Sequence, residues 1–190
     1  MNRLQAEAIL KEAEERNPGP WANHCRIAAK CAEQIAIHCG MDAELAYIMG
    51  LLHDIGRRYG VGHFQHVYDG WKYMLEMGEP EIAQICLTHS YVVPKLSVYI
   101  GRYDVTEEQK QEAGDALAAC EYTEYDRLIQ LCDCLAGTTG VMDMEARMED
   151  VKARYGMYPQ EKWDGNMQLK ALFEEKMGMD VYEALTDVKL

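Results

Sequence analysis

The residues with the most chemistry in this 190-residue sequence are histidines and aspartates placed beside apolar runs. His53 and Asp54 stand side by side at the end of the run Ala46-Tyr47-Ile48-Met49-Gly50-Leu51-Leu52. Helix periodicity predicts burial there, and burying an imidazole and a carboxylate is costly unless something pairs with them. A divalent metal ion is one such partner, because neutral imidazole nitrogen and carboxylate oxygen both ligate it. A hydrogen bond within the pair is the other, and an isolated His-Asp would favour that plainer explanation. This pair is not isolated. His24 precedes it, His66 and His89 follow it, and Asp133 lies in a later apolar stretch. The chain has only six histidines, so such a gathering points to a metal site rather than to separate core histidines.

Helices must bring these residues together. No sustained period-2 alternation occurs anywhere, and the patterning predicts an all-α fold. Asn17-Pro18-Gly19-Pro20 is a strong breaker, and a helix follows it to about Cys39, stopped by Gly40. Asp42 is the expected N-cap of the next helix, which should end near Gly56. Helices are expected over 64–77 and from Pro80 to His89, with the proline in the first turn. Residues 90–105 read as an irregular, aromatic loop, the kind that serves as a lid or specificity element. Thr106-Glu107-Glu108-Gln109 is a capping-box pattern opening another helix. A helix from Thr123 to Ala136 carries Asp133, and Gly137-Thr138-Thr139-Gly140 breaks it. Further helices are expected near 143–155, 166–177 and 180–187. With no repeat or linker in sight, the expectation is a single helical domain over 1–190, its core at about 20–140 and a helical extension at 141–190.

On these helices the candidate ligands share inward faces. His24 aligns with Ala28, His66 with Gly70, Tyr73 and Met77, His89 with Ile82, Ile85 and Cys86, and Asp133 with Ile129 and Ala136. Gly70, one turn after His66, would leave room for a close helix or for a bound ion. The ordered set resembles the HD-domain metal-dependent phosphohydrolase superfamily, whose pattern is a His, then a His-Asp pair, then a distant Asp. Here those are His24, His53-Asp54 and Asp133. Leu52-His53-Asp54-Ile55-Gly56-Arg57 is similar to the longer His-Asp-Ile-Gly form, in which a basic residue often follows the glycine. His66-x-x-x-Gly70 and Leu87-Thr88-His89 look like the two additional histidines of the binuclear branch, and the fold implied is an HD-type helical bundle. That branch includes the HD-GYP cyclic dinucleotide phosphodiesterases and bacterial diadenosine tetraphosphate hydrolases. The Gly-Tyr-Pro signature is missing, since Tyr59-Gly60 is followed by Val61, which argues against a cyclic dinucleotide substrate.

The resemblance implies that His24, His53, Asp54 and Asp133 hold a first divalent transition metal, and that His66 and His89 hold a second, with Asp54 bridging. Nitrogen and oxygen ligands without thiolate suit Fe, Mn, Co, Ni or Zn alike. Cys132 and Cys134 flank Asp133 and are expected to point away from it. The implied activity is that of a metal-dependent phosphohydrolase, cleaving a phosphate ester or anhydride of a nucleotide or similar small molecule with metal-activated hydroxide. Asp54, Arg57 and His63 are the candidate catalytic residues. Arg57 leaves the metal-bearing segment where a phosphate would lie and could grip it bidentately, or could be simple solvated surface. Arg58 is a weaker candidate for the same contact. His63, three residues before His66, could act as general acid for the leaving group or sit idle in the loop after Gly60-Val61-Gly62. Lys95 and Arg102 are candidates for a distal phosphate, while Tyr91, Tyr99 and Tyr103 could stack on a base or simply pack the loop. His38, beside Gly40, is read as a surface residue favoured by a helix C-terminus.

A formal net charge of −13 argues against polymeric nucleic acid as a partner, since backbone binding needs a basic face. No run approaches the roughly 18 apolar residues needed to span a bilayer, and the start lacks the apolar segment of a secretory signal. Seven cysteines without a Cys-x-x-Cys pair read as reduced thiols of a cytoplasmic protein. The partner expected is a small phosphorylated substrate, a nucleotide among the candidates, and no membrane. The helices beyond 140 are candidates to cap the site or to form a homodimer face. Two other functions use similar ligands. HD-fold diiron oxygenases differ in needing iron and oxygen, and a non-catalytic metal- or nucleotide-binding regulatory domain would tolerate loss of a ligand, which this chain does not show.

Overall fold

Local signals start and stop each helix of the computed structural model, which describes residues 1–60 and 62–190. Helix α1 (Arg3–Arg16) opens on a reciprocal capping box between Asn2 and Gln5. No helix is expected there from the sequence, because its buried face is only Ala6, Leu10 and Ala13 and Leu4 lies in solvent. Helix α2 (Trp21–Cys39) ends at Gly40, whose left-handed backbone suits a glycine. His38 is exposed in its last turn.

Helix α3 (Ala43–Leu52) starts where the Asp42 carboxylate accepts a hydrogen bond from the Leu45 amide at 3.1 Å. Every residue from Ala46 to Leu52 is buried, so α3 is the central helix, packed against α1 and α2 on one side. It ends earlier than the expected Gly56. His53 and Asp54 leave the α-helix, and a 3-10 turn (Ile55–Tyr59) carries the chain on. The apolar run is therefore helical, while the chemically interesting pair sits in a bend at its end.

Helices α4 (Gln65–Glu76) and α5 (Pro80–Thr88) follow as a packed pair. The segment 90–105 is irregular except for a 3-10 turn at Leu96–Val98. Helices α6 (Glu107–Ala119) and α7 (Glu124–Leu135) open on capping boxes at Thr106 and Thr123. Helix α8 (Met144–Tyr155) matches expectation, whereas α9 (Gln160–Met177) begins six residues before the expected 166. Gly165 lies within α9, where Val92 packs against its bare face. Helix α10 is short (Val181–Ala184). Among the described residues there are no strands, only isolated bridges pairing Ala136 with Val141 and Gly140 with Lys189. The fold is all-α. No described helix is long and apolar enough to cross a membrane.

Two packing centres position the site. Side chains of α1, α2, α3, α5 and α7 form the larger, and Met144, Met148, Leu169, Phe173, Val181 and Leu185 of the last three helices join that same cluster. Phe64, Val67, Leu87, Tyr91, Val98, Ala113 and Leu117 form the smaller, beneath the aromatic loop. Close backbone approaches hold the geometry. A Cβ at Gly50 would lie 2.8 Å from the Cα of Ala29, so α3 and α2 touch there. At Gly56 it would lie 2.0 Å from the His66 carbonyl oxygen and 2.5 Å from the Gly70 nitrogen. The space at Gly70 thus accommodates the 3-10 turn, with Cys86 of α5 on the same side, and not an ion.

Gly56→Ala should destabilise the protein by about 3 kcal/mol or more, because backbone on both sides would have to move. Gly114→Ala, where the nearest obstacle is the flexible tip of Leu96, should be close to neutral. Urea midpoints compare the two, and equal midpoints would show that the Gly56 contact is not rigid.

Candidate metal centre

Four histidines orient themselves by the same device. The Nδ1 of His24 bonds the Ala136 carbonyl at 3.0 Å, that of His53 the Gly50 carbonyl at 2.7 Å, and that of His89 the Cys86 carbonyl at 2.9 Å. His66 Nδ1 bonds the His63 carbonyl. Since a carbonyl only accepts, each Nδ1 carries a proton, and each ring turns its Nε2 the other way. Those Nε2 atoms converge on carboxylates. His66 Nε2 is 3.1 Å and His89 Nε2 3.5 Å from Asp54 Oδ1, while His53 Nε2 lies 4.0 Å from Asp54 Oδ2. On the far side His24 Nε2 is 3.0 Å and His53 Nε2 3.8 Å from Asp133 Oδ1.

Imidazole nitrogens this close to carboxylates call for a positive charge between them, carried by a ring proton or by a metal ion. His53 Nε2 and Asp54 Oδ1 are moreover buried without any hydrogen-bond partner among the described residues. Two groups are compact enough to hold an ion each, His24 with His53 and Asp54, and Asp54 with His66 and His89. Asp54 belongs to both, and Asp133 adjoins the first.

The charges at the site are set by burial and by neighbours. Burial pushes the Asp54 carboxyl up, but the Arg57 guanidinium and His66 outweigh it and hold the group well below the usual carboxylate range. Arg57 Nε donates to Asp54 Oδ2 at 2.5 Å. Burial likewise works against ionised Asp133, and its contact with His24, with His53 and Arg147 nearby, more than compensates. Burial pushes His89 down to about 3 and lowers His53, so both rings are neutral at ordinary pH and available as ligands.

Above these groups lies a pocket of about 620 Å³. The expected site residues on its wall are His24, Asp54, Arg57, His63, His66, His89 and Asp133, with His53 buried just behind them. The structure sorts the looser candidates. Arg58 is buried away from the pocket, ion-paired to Glu12 and lying over the Tyr73 ring. Lys95 pairs with Glu161 at the surface, and Arg102 contacts His63 from outside the wall. Tyr91 is fully buried, and Tyr91 and Tyr103 pack with Phe64, leaving Tyr99 alone of the three on the wall.

Cys134 corrects an expectation. Cys132 is buried as anticipated, but Cys134 lines the pocket, because the wall spans more of α7 than the face centred on Asp133. Burial pushes its thiol up to about 12, which leaves it protonated. Sequence reasoning missed Arg147, Arg154, Tyr155, Tyr158 and Lys162, which come down from α8, α9 and the turn between them to close the pocket. Nothing local marks these residues, since basic and aromatic side chains on a polar helix look like solvated surface. Of the two roles expected for the C-terminal helices, covering the site is what they do in this structure.

The family profile described as HD domain matches residues 21–138, more than half of the chain. This chain belongs to the HD domain family. HD domains bind divalent metals, which fits a cluster of inward-facing imidazole nitrogens around the carboxylates of Asp54 and Asp133. The match stops before α8, so the helices that close the pocket lie outside the family segment. No curated protein sequence matches the chain. Among solved structures, the HD domain of the L. monocytogenes phosphodiesterase PgpH is similar at 19% identity and a TM-score of 0.55, over 89% of this chain and 94% of that one. That likeness speaks to the shared HD fold.

The depressed histidines give the metal-stripped protein a signed pH dependence. Below the ordinary histidine value of 6.5 the unfolded chain takes up protons at His53 and His89 that the folded chain refuses. Unfolding then binds protons, so stability falls as pH drops from 6.5 towards about 4. Urea unfolding at constant ionic strength should show this decline, and His89→Asn should make it shallower. An unchanged slope in the variant would mean that His89 is not held neutral by the fold.

Proposed function

We propose that this protein is a metal-dependent phosphohydrolase acting on a phosphate ester or anhydride of a nucleotide or similar small molecule. The observation that carries the proposal is Asp54, shared by two groups of inward-facing imidazoles on the floor of a pocket whose walls are basic. The HD family and fold support hydrolysis in general terms, and the pocket residues suggest the substrate class. Residues 1–190 are taken as one domain, since the last helices fill the same core as the family segment.

In this proposal His24, His53, Asp54 and Asp133 hold one divalent ion, and Asp54, His66 and His89 hold the other. Bound there, the ions would acidify water to supply a nucleophile near neutral pH and would offset charge on the phosphoryl oxygens. The chain's own residues do the rest. Arg57 keeps Asp54 ionised through its Nε, and its Nη1 and Nη2 lie 3.4 Å from the Gly62 carbonyl and from His66 Nε2, long contacts that a phosphoryl oxygen in the pocket would replace. His63 sits on the wall with its ring against Tyr155 and is assigned the proton needed by the leaving group. Tyr99, Tyr155 and Tyr158 add flat apolar surface suited to a nucleobase.

Purified without oxygen or chelator, the protein should carry about two divalent ions per chain by elemental analysis. Asp54→Ala should lose most of that metal and all hydrolysis while keeping its far-ultraviolet circular dichroism, and a metal-replete, active variant would overturn the ligand assignment. Arg57→Ala should lower kcat/KM on bis(p-nitrophenyl) phosphate about 100-fold with much smaller loss of metal. Unchanged kinetics would make Arg57 a bystander.

A further inference from the structure

The wall contributed by α8 and α9 carries positive charge that the Asp54 cluster does not use. Lys162, in the first turn of α9, is half-buried, and its Nζ donates to the Ser90 carbonyl at 2.8 Å, one residue beyond His89. An ammonium group has three N–H bonds, so donors remain for a ligand in the pocket. Lys72, Lys95, Lys110, Lys152, Lys170 and Lys176 each face a carboxylate. Among the described residues none comes within ion-pair distance of Lys162, although the chain as a whole has an excess of acids.

Arg147 presents a similar surplus from α8. Its Nη1 donates to the Ala136 carbonyl, three residues beyond Asp133, and its Nη2 stands 3.7 Å from Asp133 Oδ1, too far for a good hydrogen bond. Its Nε makes no hydrogen bond among the described residues, and Nη2 meets Asp133 only at ion-pair distance, so both have hydrogens left for a ligand. Each cation is tied to backbone beside a candidate ligand, one near His89 and the other near Asp133. Lys162 has no carboxylate within ion-pair distance among the described residues and Arg147 only Asp133 at 3.7 Å, so partly desolvated positive charge is left to favour an anion. Arg57 already provides for the phosphoryl group under attack, so the charge contributed by α8 and α9 suits a different one.

We propose that Lys162 and Arg147 form a second anion subsite, which holds a phosphate group other than the one hydrolysed, so that the substrate carries a chain of at least two phosphates, as a nucleoside polyphosphate does. The word substrate rests on the hydrolase proposal above, whereas the binding of a phosphate chain does not. Both residues lie beyond the segment matched by the HD family, which makes the subsite a property of this chain's own C-terminal helices.

Calorimetric titration of the full, chelator-treated protein tests this without turnover, using inorganic tripolyphosphate and inorganic phosphate as probes. Tripolyphosphate should bind at least tenfold more tightly than phosphate. Lys162→Gln should lose about tenfold in tripolyphosphate affinity, Lys162→Arg should recover most of it, and Lys95→Gln, at a surface lysine paired with Glu161, should bind as the parent does. Equal binding of the two probes, or an unaltered Lys162→Gln, would overturn the subsite. Failure of the hydrolase proposal is read separately, as absence of metal-dependent cleavage of any phosphate ester while Lys162-dependent tripolyphosphate binding persists.

Discussion

Asp54 is a carboxylate that burial alone would neutralise, and Arg57, 2.5 Å from its Oδ2, is the first influence that keeps it charged. The position of that charge dictates much of what surrounds it. The chain must leave the α-helix at His53 to aim Asp54 sideways, and the following turn must press against α4 tightly enough that only glycine fits at position 56. That contact in turn sets His66 beside Asp54 Oδ1. A charge in a low-dielectric interior is tolerated only with partners on every side, so the helices that deliver those partners are constrained together.

The imidazoles show how a helical protein can prepare ligands before any ion arrives. Three of the four Nδ1 bonds run to carbonyls three residues earlier, at Gly50 and Cys86 in last helical turns, where carbonyls lack intrahelical donors, and at His63 just before α4. His24 instead reaches across to the Ala136 carbonyl at the end of α7, which fixes α2 relative to the helix bearing Asp133. Helix termini thus supply both the bend that exposes a side chain and the acceptor that orients it. Gln130 adds a further tie, donating to the carbonyls of Thr88 and Tyr91 on either side of His89.

The sequence made the all-α class and most helix positions legible because apolar periodicity and capping residues are local signals. It also made legible the histidines and aspartates that the structure gathers, since each lies at a helical register with buried neighbours. Features set by tertiary contact were hidden. Helix α1 covers the core with two alanines and a leucine, too weak a pattern to read. Helix α9 starts at Gln160 rather than near 166, with Gly165 inside it against Val92. Arg147, Lys162 and Cys134 reach the pocket only because α8 and α9 fold back across α7, a path that no spacing within those helices encodes.

The seven free cysteines carry a practical consequence. Burial raises every one of their thiols, Cys31 and Cys134 to about 12. Alkylating agents attack thiolates, so raised thiols such as Cys134 on the pocket wall react slowly in the folded molecule. Cys25, Cys31, Cys86 and Cys132 are buried among the central helices, where the reagent arrives only when the packing opens. The rate at which iodoacetamide accumulates on those four is therefore a built-in clock for opening, needing no added label.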